Sequence, residues 1–446
     1  MTLEELAGEA ISWLKGQGAE AELYLSRSEE RGLERRDGEL DGVQQSVSLG
    51  AGLRVLSRGR MGFACAAGAS LETIKDLYGK IRAQLPHLQE DVHKAFAAPV
   101  AAQPDAALAR SLWDDSLFEE GWDSIGSKLE KLEASTRSAD KRIDSVLRAG
   151  YGEGRGEVVI ASTLGTFTRE RGGSCSVGLS ALCGGDDDRQ IGSAFQSARH
   201  KSELDWEKVG RQAAERTTAL LGARKPPTGR RSVVFDPWVA GEFLDLIAGL
   251  LCADQTQRGK SLLSGKLGKK VGSPLVTFVD DPRRRAGLAS ALYDDEGLPT
   301  SAKTMIEGGV VREFFYDTYT ARRDGRASNA SAGRGSYRGL PSPGSSNFYL
   351  KPGSMSREAL LSGTKDGLLV LDVMGMHMAD PISGEFSVGV SGLLIEGGRV
   401  GGPVKAAMIS GNLLELLERV DAVADDLTFY GAMGSPTFRV SHMTVA

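Results

Sequence analysis

The stretch Ala223-Arg-Lys-Pro-Pro-Thr-Gly-Arg-Arg-Ser-Val-Val-Phe-Asp-Pro237 carries the reading of the fold. Two adjacent prolines and a glycine break all regular structure, so residues 223–229 divide an N-terminal domain, 1–222, from a C-terminal domain, 230–446. Ser232–Phe235 then predicts a short buried strand, stopped by Asp236-Pro237. Behind it, Val239, Phe243, Leu246, Ile247, Leu250 and Leu251 recur at helical spacing and predict an amphipathic helix.

Upstream of the break the pattern is helix, meandering strands, helix. Leu3, Leu6, Ala7, Ala10 and Leu14 predict an opening helix. Alternation at Ala21, Leu23 and Leu25 predicts a strand. Asp37-Gly38 and Arg58-Gly59 suit hairpin turns. Leu71 to Leu85 reads as a second helix, and the Ala/Pro-rich stretch 95–109, with Pro99 and Pro104, as a surface crossing. Phe118, Trp122, Ile125, Leu129 and Leu132 predict a further helix, Ile143–Cys183 antiparallel strands, and Trp206, Val209, Ala213 and Ala214 a closing helix. The glycines at 150, 152, 154 and 156 read as a hairpin.

Downstream, Pro274–Val279, Val310–Tyr316, Gly367–Val373 and Gly389–Ile395 predict short strands, with a late helix at Leu413–Val420. Ser328–Asn347, rich in Gly, Ser and Pro, reads as a long mobile loop. The fold class is therefore α+β. Helices flank an antiparallel sheet in the first domain, and the second is strand-rich, with a curved antiparallel sheet or partial barrel.

Composition narrows the function. The 446 residues carry 54 basic and 59 acidic side chains, a net charge of −5, which argues against direct nucleic-acid binding. Glycine supplies 57 residues, well above the ordinary share, and predicts many tight turns. Four cysteines form no CxxC pair, so neither a disulfide framework nor a zinc ribbon is expected. Met1–Leu14 lacks the layout of a signal peptide and no apolar run reaches bilayer length, giving the expectation of a cytoplasmic protein without membrane contact. There is no GxSxG elbow. Gly259-Lys260-Ser261 resembles the end of a phosphate-binding loop, but Asp254 occupies its first glycine position. Of five histidines none lies in HExxH. Only His377, in Met374-Gly-Met-His-Met-Ala-Asp-Pro-Ile-Ser-Gly-Glu-Phe386 with Asp380 and Glu385 nearby, has a distinctive setting.

Several strings resemble the TldD/PmbA family of metallopeptidase-related proteins: Val233-Val-Phe-Asp-Pro237, Ser261-Leu-Leu-Ser-Gly-Lys-Leu-Gly268, Asp294-Asp-Glu-Gly-Leu-Pro-Thr300, Ser383-Gly-Glu-Phe-Ser-Val-Gly389 and Gly434-Ser-Pro436. Arg36-Asp-Gly-Glu-Leu-Asp-Gly42 and Gly52-Leu-Arg-Val55 extend the likeness into the first domain. The TldD branch carries an HExxxH helix that holds zinc and its catalytic water. The flanking motifs place that hexapeptide at Asp245-Leu-Ile-Ala-Gly-Leu250, where Asp245, Leu246 and Leu250 replace histidine, glutamate and histidine. A further family cysteine, expected near Tyr430–Ser435, is absent. The resemblance thus implies the PmbA/TldE branch. Such a protein is a non-catalytic, zinc-free subunit that joins a zinc-bearing TldD-type partner to cut unstructured peptides such as leader or antitoxin-like segments. His377, Asp380 and Glu385 stand as cleft or partner contacts. A homodimer is the alternative assembly. A metallopeptidase active by itself through His377, Asp380 and Asp245, and a gyrase-modulating binding protein, are the alternative functions.

Overall fold

The computed structural model describes residues 1–101, 105–185 and 188–446; Pro104 lies outside them. The first unit opens with α1 (Leu3–Gly16), whose Thr2 and Glu5 form a reciprocal capping box. Strands β1 (Glu20–Arg36), β2 (Glu39–Ser57) and β3 (Arg60–Ala67) follow. Their two-residue turns put Asp37 and Gly38 at φ 46° and 87°, and Arg58 and Gly59 at 49° and 72°. Positive φ at both central positions is what a tight hairpin requires. Next come α2 (Leu71–Gln84), α3 (Ala106–Ser111), α4 (Trp122–Ala139), β4 (Ile143–Ser162), β5 (Phe167–Cys183), β6 (Gln190–Ala198) and α5 (Trp206–Thr218). Phe118, expected inside a helix, precedes α4 with φ 70°, a conformation no helix tolerates.

The six strands form one antiparallel sheet in the order β3-β2-β1-β4-β5-β6. One face is apolar and buried beneath α1 and α2 at one end and α4 and α5 at the other. The opposite face is nearly bare. Gly150, Gly152, Gly154 and Gly156 lie opposite Gly178, Ser176, Ser174 and Gly172 on β5 and Glu34, Gly32, Glu30 and Ser28 on β1. The glycine string is therefore no hairpin. It runs through the middle of β4, and its period of two marks one smooth face of a strand paired on both edges.

The second unit begins with β7 (Gly229–Phe235), α6 (Pro237–Leu250) and α7 (Ala253–Gln257). Short elements follow: β8 (Phe278–Asp280), β9 (Lys303–Glu307), β10 (Val310–Val311), α8 (Thr318–Arg323), β11 (Ala332–Gly333), β12 (Ser342–Pro343), β13 (Phe348–Leu350) and α9 (Arg357–Ser362). Then come β14 (Asp366–Met374), β15 (Glu385–Glu396), β16 (Arg399–Asn412), α10 (Leu413–Glu418), β17 (Val420–Val423), β18 (Thr428–Tyr430), β19 (Met433–Ser435) and β20 (Phe438–Val445). The strands β16-β15-β14-β7-β20 close on themselves, because β16 also pairs with β20 at Ile409↔Val445 and Ser410↔Thr444. The expected partial barrel is a closed five-stranded ring. Helix α6 packs on it through Phe243, whose ring centroid lies 5.0 Å from that of Phe235 and 5.8 Å from that of Phe386. A second sheet, β10-β9-β8-β13-β19-β18, stands beside the ring.

Two expected strands shrink. Only Phe278 and Val279 of the first, continued by Asp280, and Val310–Val311 of the second are extended in a sheet, while Phe314, Phe315 and Tyr316 are buried as irregular chain. Apolar runs signal burial before they signal a strand. Ser328–Asn347 is not a free loop. Tyr337 is 4% exposed and packs over Gly50, where any Cβ would collide with its ring, and Asn347 is fully buried. A buried ion cluster fastens the two units: Arg54 donates to Glu22 at 2.9 and 2.6 Å and to Glu296 at 3.4 Å, and Arg334 also pairs with Glu22. Burial alone would raise the Glu22 carboxyl, but the two guanidiniums outweigh it and hold it below the usual range. Among the described residues no helix is long and apolar enough to cross a membrane.

Candidate functional site

Helix α6 starts where the sequence places it. Asp236 caps it by accepting from the Trp238 amide at 3.1 Å, and Pro237 fills the first turn, where a missing N–H costs nothing. Arg357 at 2.8 Å and Arg216 at 3.4 Å hold the same carboxylate, and Arg216 lies 4.3 Å above the Trp238 ring. Val239, Ala240, Phe243, Leu244, Ile247, Ala248 and Leu250 face the core. The outer arc carries Gly241, Asp245, Glu242 and Leu246, spread over about 140° at 100° per residue.

That arc forms one wall of a cleft of about 600 Å³, completed by Phe195, Trp238, Met376, His377, Tyr430 and Met433. The aromatic side is a mutually packed trio: Trp238 lies 5.0 Å from Tyr430 and 5.2 Å from Phe195, ring centre to ring centre. Gly241 passes close to β19, and a Cβ added there would sit 3.8 Å from the Cβ of Met433. Burial, and after it the neighbouring Asp372, pushes the Glu242 carboxyl upward. Among the described residues, no three His, Cys, Asp or Glu side chains come together in a way that could hold a metal ion.

The residues singled out from sequence separate here. Asp245 and Leu246 line the cleft, whereas Leu250 points into the core at 4% exposure. His377 also lines the cleft. Asp380 does not join it: its carboxylate accepts from the Ile382 amide at 2.8 Å and the Ser383 hydroxyl at 3.0 Å, and these bonds, that from Ile382 first, hold its pKa down. Glu385 accepts from the Asn412 side-chain amide at 3.2 Å. Both shape the turn into β15. Gly241, Glu242, Met433 and the aromatic trio were missed. Their only local signal is the i, i+4 step along α6 from Gly241 to Asp245 and from Glu242 to Leu246.

Models of the PmbA/TldA metallopeptidase match the chain in three pieces: domain 1 at residues 21–83, the central domain at 120–221 and the C-terminal domain at 228–446. The chain belongs to the PmbA/TldD family. Among family members, the metalloprotease PmbA of Escherichia coli is 26% identical, over 95% of this chain and 92% of its own. A metalloprotease TldD homolog of Haemophilus influenzae is 27% identical, over 91% and 85%. Overall identity therefore does not separate the branches, and the cleft must. Among solved structures, a candidate modulator of a DNA gyrase from Thermotoga maritima superposes over the whole of both chains with a TM-score of 0.91 and 26% identity. TldE from Thermococcus kodakarensis shares the fold, at 0.88 and 22%, over 99% of this chain and all of its own.

Proposed function

We propose that this PmbA/TldD family member is the TldE-type subunit of a peptidase complex that acts on unstructured peptides in the cytoplasm, with hydrolysis performed by a zinc-bearing TldD-type partner. One observation carries the reading: of the hexapeptide positions Asp245, Leu246 and Leu250, only Asp245 brings a donor to the cleft, since Leu246 lines it without one and Leu250 is buried in the core. In the register set by the flanking motifs, Asp245 and Leu250 take the histidine positions and Leu246 that of the glutamate, while Met433 stands in the segment where the cysteine is expected.

Zinc does not fit such a donor set. A catalytic zinc needs about three protein ligands with the fourth position open. The single carboxylate of Asp245 falls short of that number, leucine has no lone pair, and the Met433 thioether is a neutral, soft donor that favours other metals. Leu246, at the position of the glutamate, cannot accept a proton.

The test mixes the purified chain with an HExxxH-bearing TldD-type subunit. Stable co-elution is expected, with chelator-sensitive cleavage of unfolded casein by the mixture and none by this chain alone. Stoichiometric zinc together with turnover by the isolated chain overturns the reading.

A further inference from the structure

A second cavity, of about 540 Å³, lies where the bare face of the N-terminal sheet meets the C-terminal unit. Its sheet wall is Ser26, Ser28, Gly154, Gly156, Gly172 and Ser174, so a ligand backbone can approach closely. From the sheet, Glu170 faces it; from the other side come Asp280, Asp294 and Asp295.

The charges around this cavity do not balance. Arg155 is engaged by Glu29 at 2.8 Å and Arg27 by the same carboxylate at 2.7 Å. Arg199 donates only to carbonyls, those of Gly173, Gly287, Leu288 and Ser290, at 2.6–3.3 Å. Lys303 stands 3.6 Å from Asp280, and the Arg334 guanidinium is taken by Glu22. Glu170 receives the amides of Leu292 at 2.7 Å and Tyr293 at 3.3 Å on one oxygen, and its other oxygen makes no hydrogen bond among the described residues. Asp294 receives only backbone amides. A second observation points the same way. Ser331 lines the cavity at 6% exposure, and its hydroxyl has no partner. A buried hydroxyl is costly unless something completes it.

We propose that this cavity binds an organic cation, the ammonium or guanidinium group of a peptide, with Glu170 and Asp295 as counter-charges and the Ser331 hydroxyl as an acceptor. The peptide origin rests on the function proposed above; the preference for a cation rests on the cavity alone. The volume suits one side chain with its flanking backbone. Proton release accompanies binding. Burial pushes Glu170 up to about 7, against the opposing pull of two backbone amides and Arg199, and with Asp295 adding to the rise. Asp294 is likewise pushed up to about 7, by burial first and Glu296 second. Tyr24 also faces this group of charges. An arriving cation favours the ionised carboxylates and expels their protons.

Calorimetry on the full chain at pH 7 uses three probes: doubly blocked Gly-Lys-Gly, the same peptide with norleucine, and the norleucine peptide with a free amino terminus. At least tenfold tighter binding is expected for a cationic probe than for the blocked norleucine peptide, and the two cationic arms tell side chain from amino terminus. Buffers of different ionisation heat should reveal the released protons. Glu170→Gln, with folding checked by thermal melting, should weaken binding at least tenfold; Asp295→Asn supplies the same readout if that variant fails to fold. Equal binding of all three probes, or undiminished binding by the folded variants, overturns the site. Neither result touches complex formation with a TldD-type subunit, so the two proposals fail separately.

Discussion

The molecule has two hollows of similar size and opposite character. The cleft beside α6 draws one donor, Asp245, from the three hexapeptide positions. The cavity between the N-terminal sheet and the C-terminal unit carries more carboxylates than cations. In the first, aromatic packing and thioether make up half of the wall, beside Glu242, Asp245 and His377. In the second, acidic side chains come from both units. The difference teaches that a hollow's family position does not predict its electrostatics, which depend on which counter-charges the rest of the chain supplies.

Three experiments break or sharpen this contrast. The largest effect is expected at the joint. Arg54→Met leaves Glu296 without its guanidinium and Glu22 with Arg334 alone, and removing one partner of a buried pair costs about 3–5 kcal/mol in urea unfolding. Glu242→Gln, at the cleft, should stay within about 0.5 kcal/mol. Equal losses in the two variants would erase the distinction.

The pH dependence comes next. Glu170 has a folded pKa of about 7, so between its ordinary value and 7 it is protonated in the native state and ionised in the unfolded chain. The unfolded state then binds fewer protons, and stability falls as pH rises through that window. Relative to Glu170→Gln, the wild type should lose on the order of 2–3 kcal/mol between pH 4 and pH 8. Melts of both proteins at the two pH values check this; a constant difference would show that the cavity does not raise this carboxyl.

A smaller change, of opposite sign to that at the joint, belongs to Gly241→Ala. The position has ordinary helical backbone, and the new Cβ meets Met433 at normal contact distance. Relief of the glycine penalty should stabilise by about 0.5–1 kcal/mol. A loss instead would mean that the cleft needs the bare backbone at this point.

What the sequence revealed follows the range of the forces involved. Asp37-Gly38 and Arg58-Gly59 are legible because turn geometry is set by the two residues themselves. Helix α6 is legible from its apolar spacing and the Asp236-Pro237 start. Which arc of α6 faces the cleft is not, since it depends on β19, some two hundred residues later; hence Gly241 and Glu242 line the cleft while Leu250 lies in the core. Gly150–Gly156 and Ser328–Asn347 mislead because small residues suggest turns and mobility locally. The first run is the smooth face of a strand paired on both edges, and the second is packed against the N-terminal sheet through Tyr337. The acidic cavity is invisible in sequence because Glu170 is far along the chain from Asp280, Asp294 and Asp295.

The ring of five strands has a consequence for biosynthesis. Strand β7 emerges early in its half of the chain, but its neighbour β20, which also seals the gap to β16, is translated about two hundred residues later. Until then the ring has an open seam with unpaired backbone, exposed to illicit pairing with other nascent chains. Assembly of this half is therefore deferred until β20 has left the ribosome, and shortening of β20 should leave a chain that is made but cannot shut.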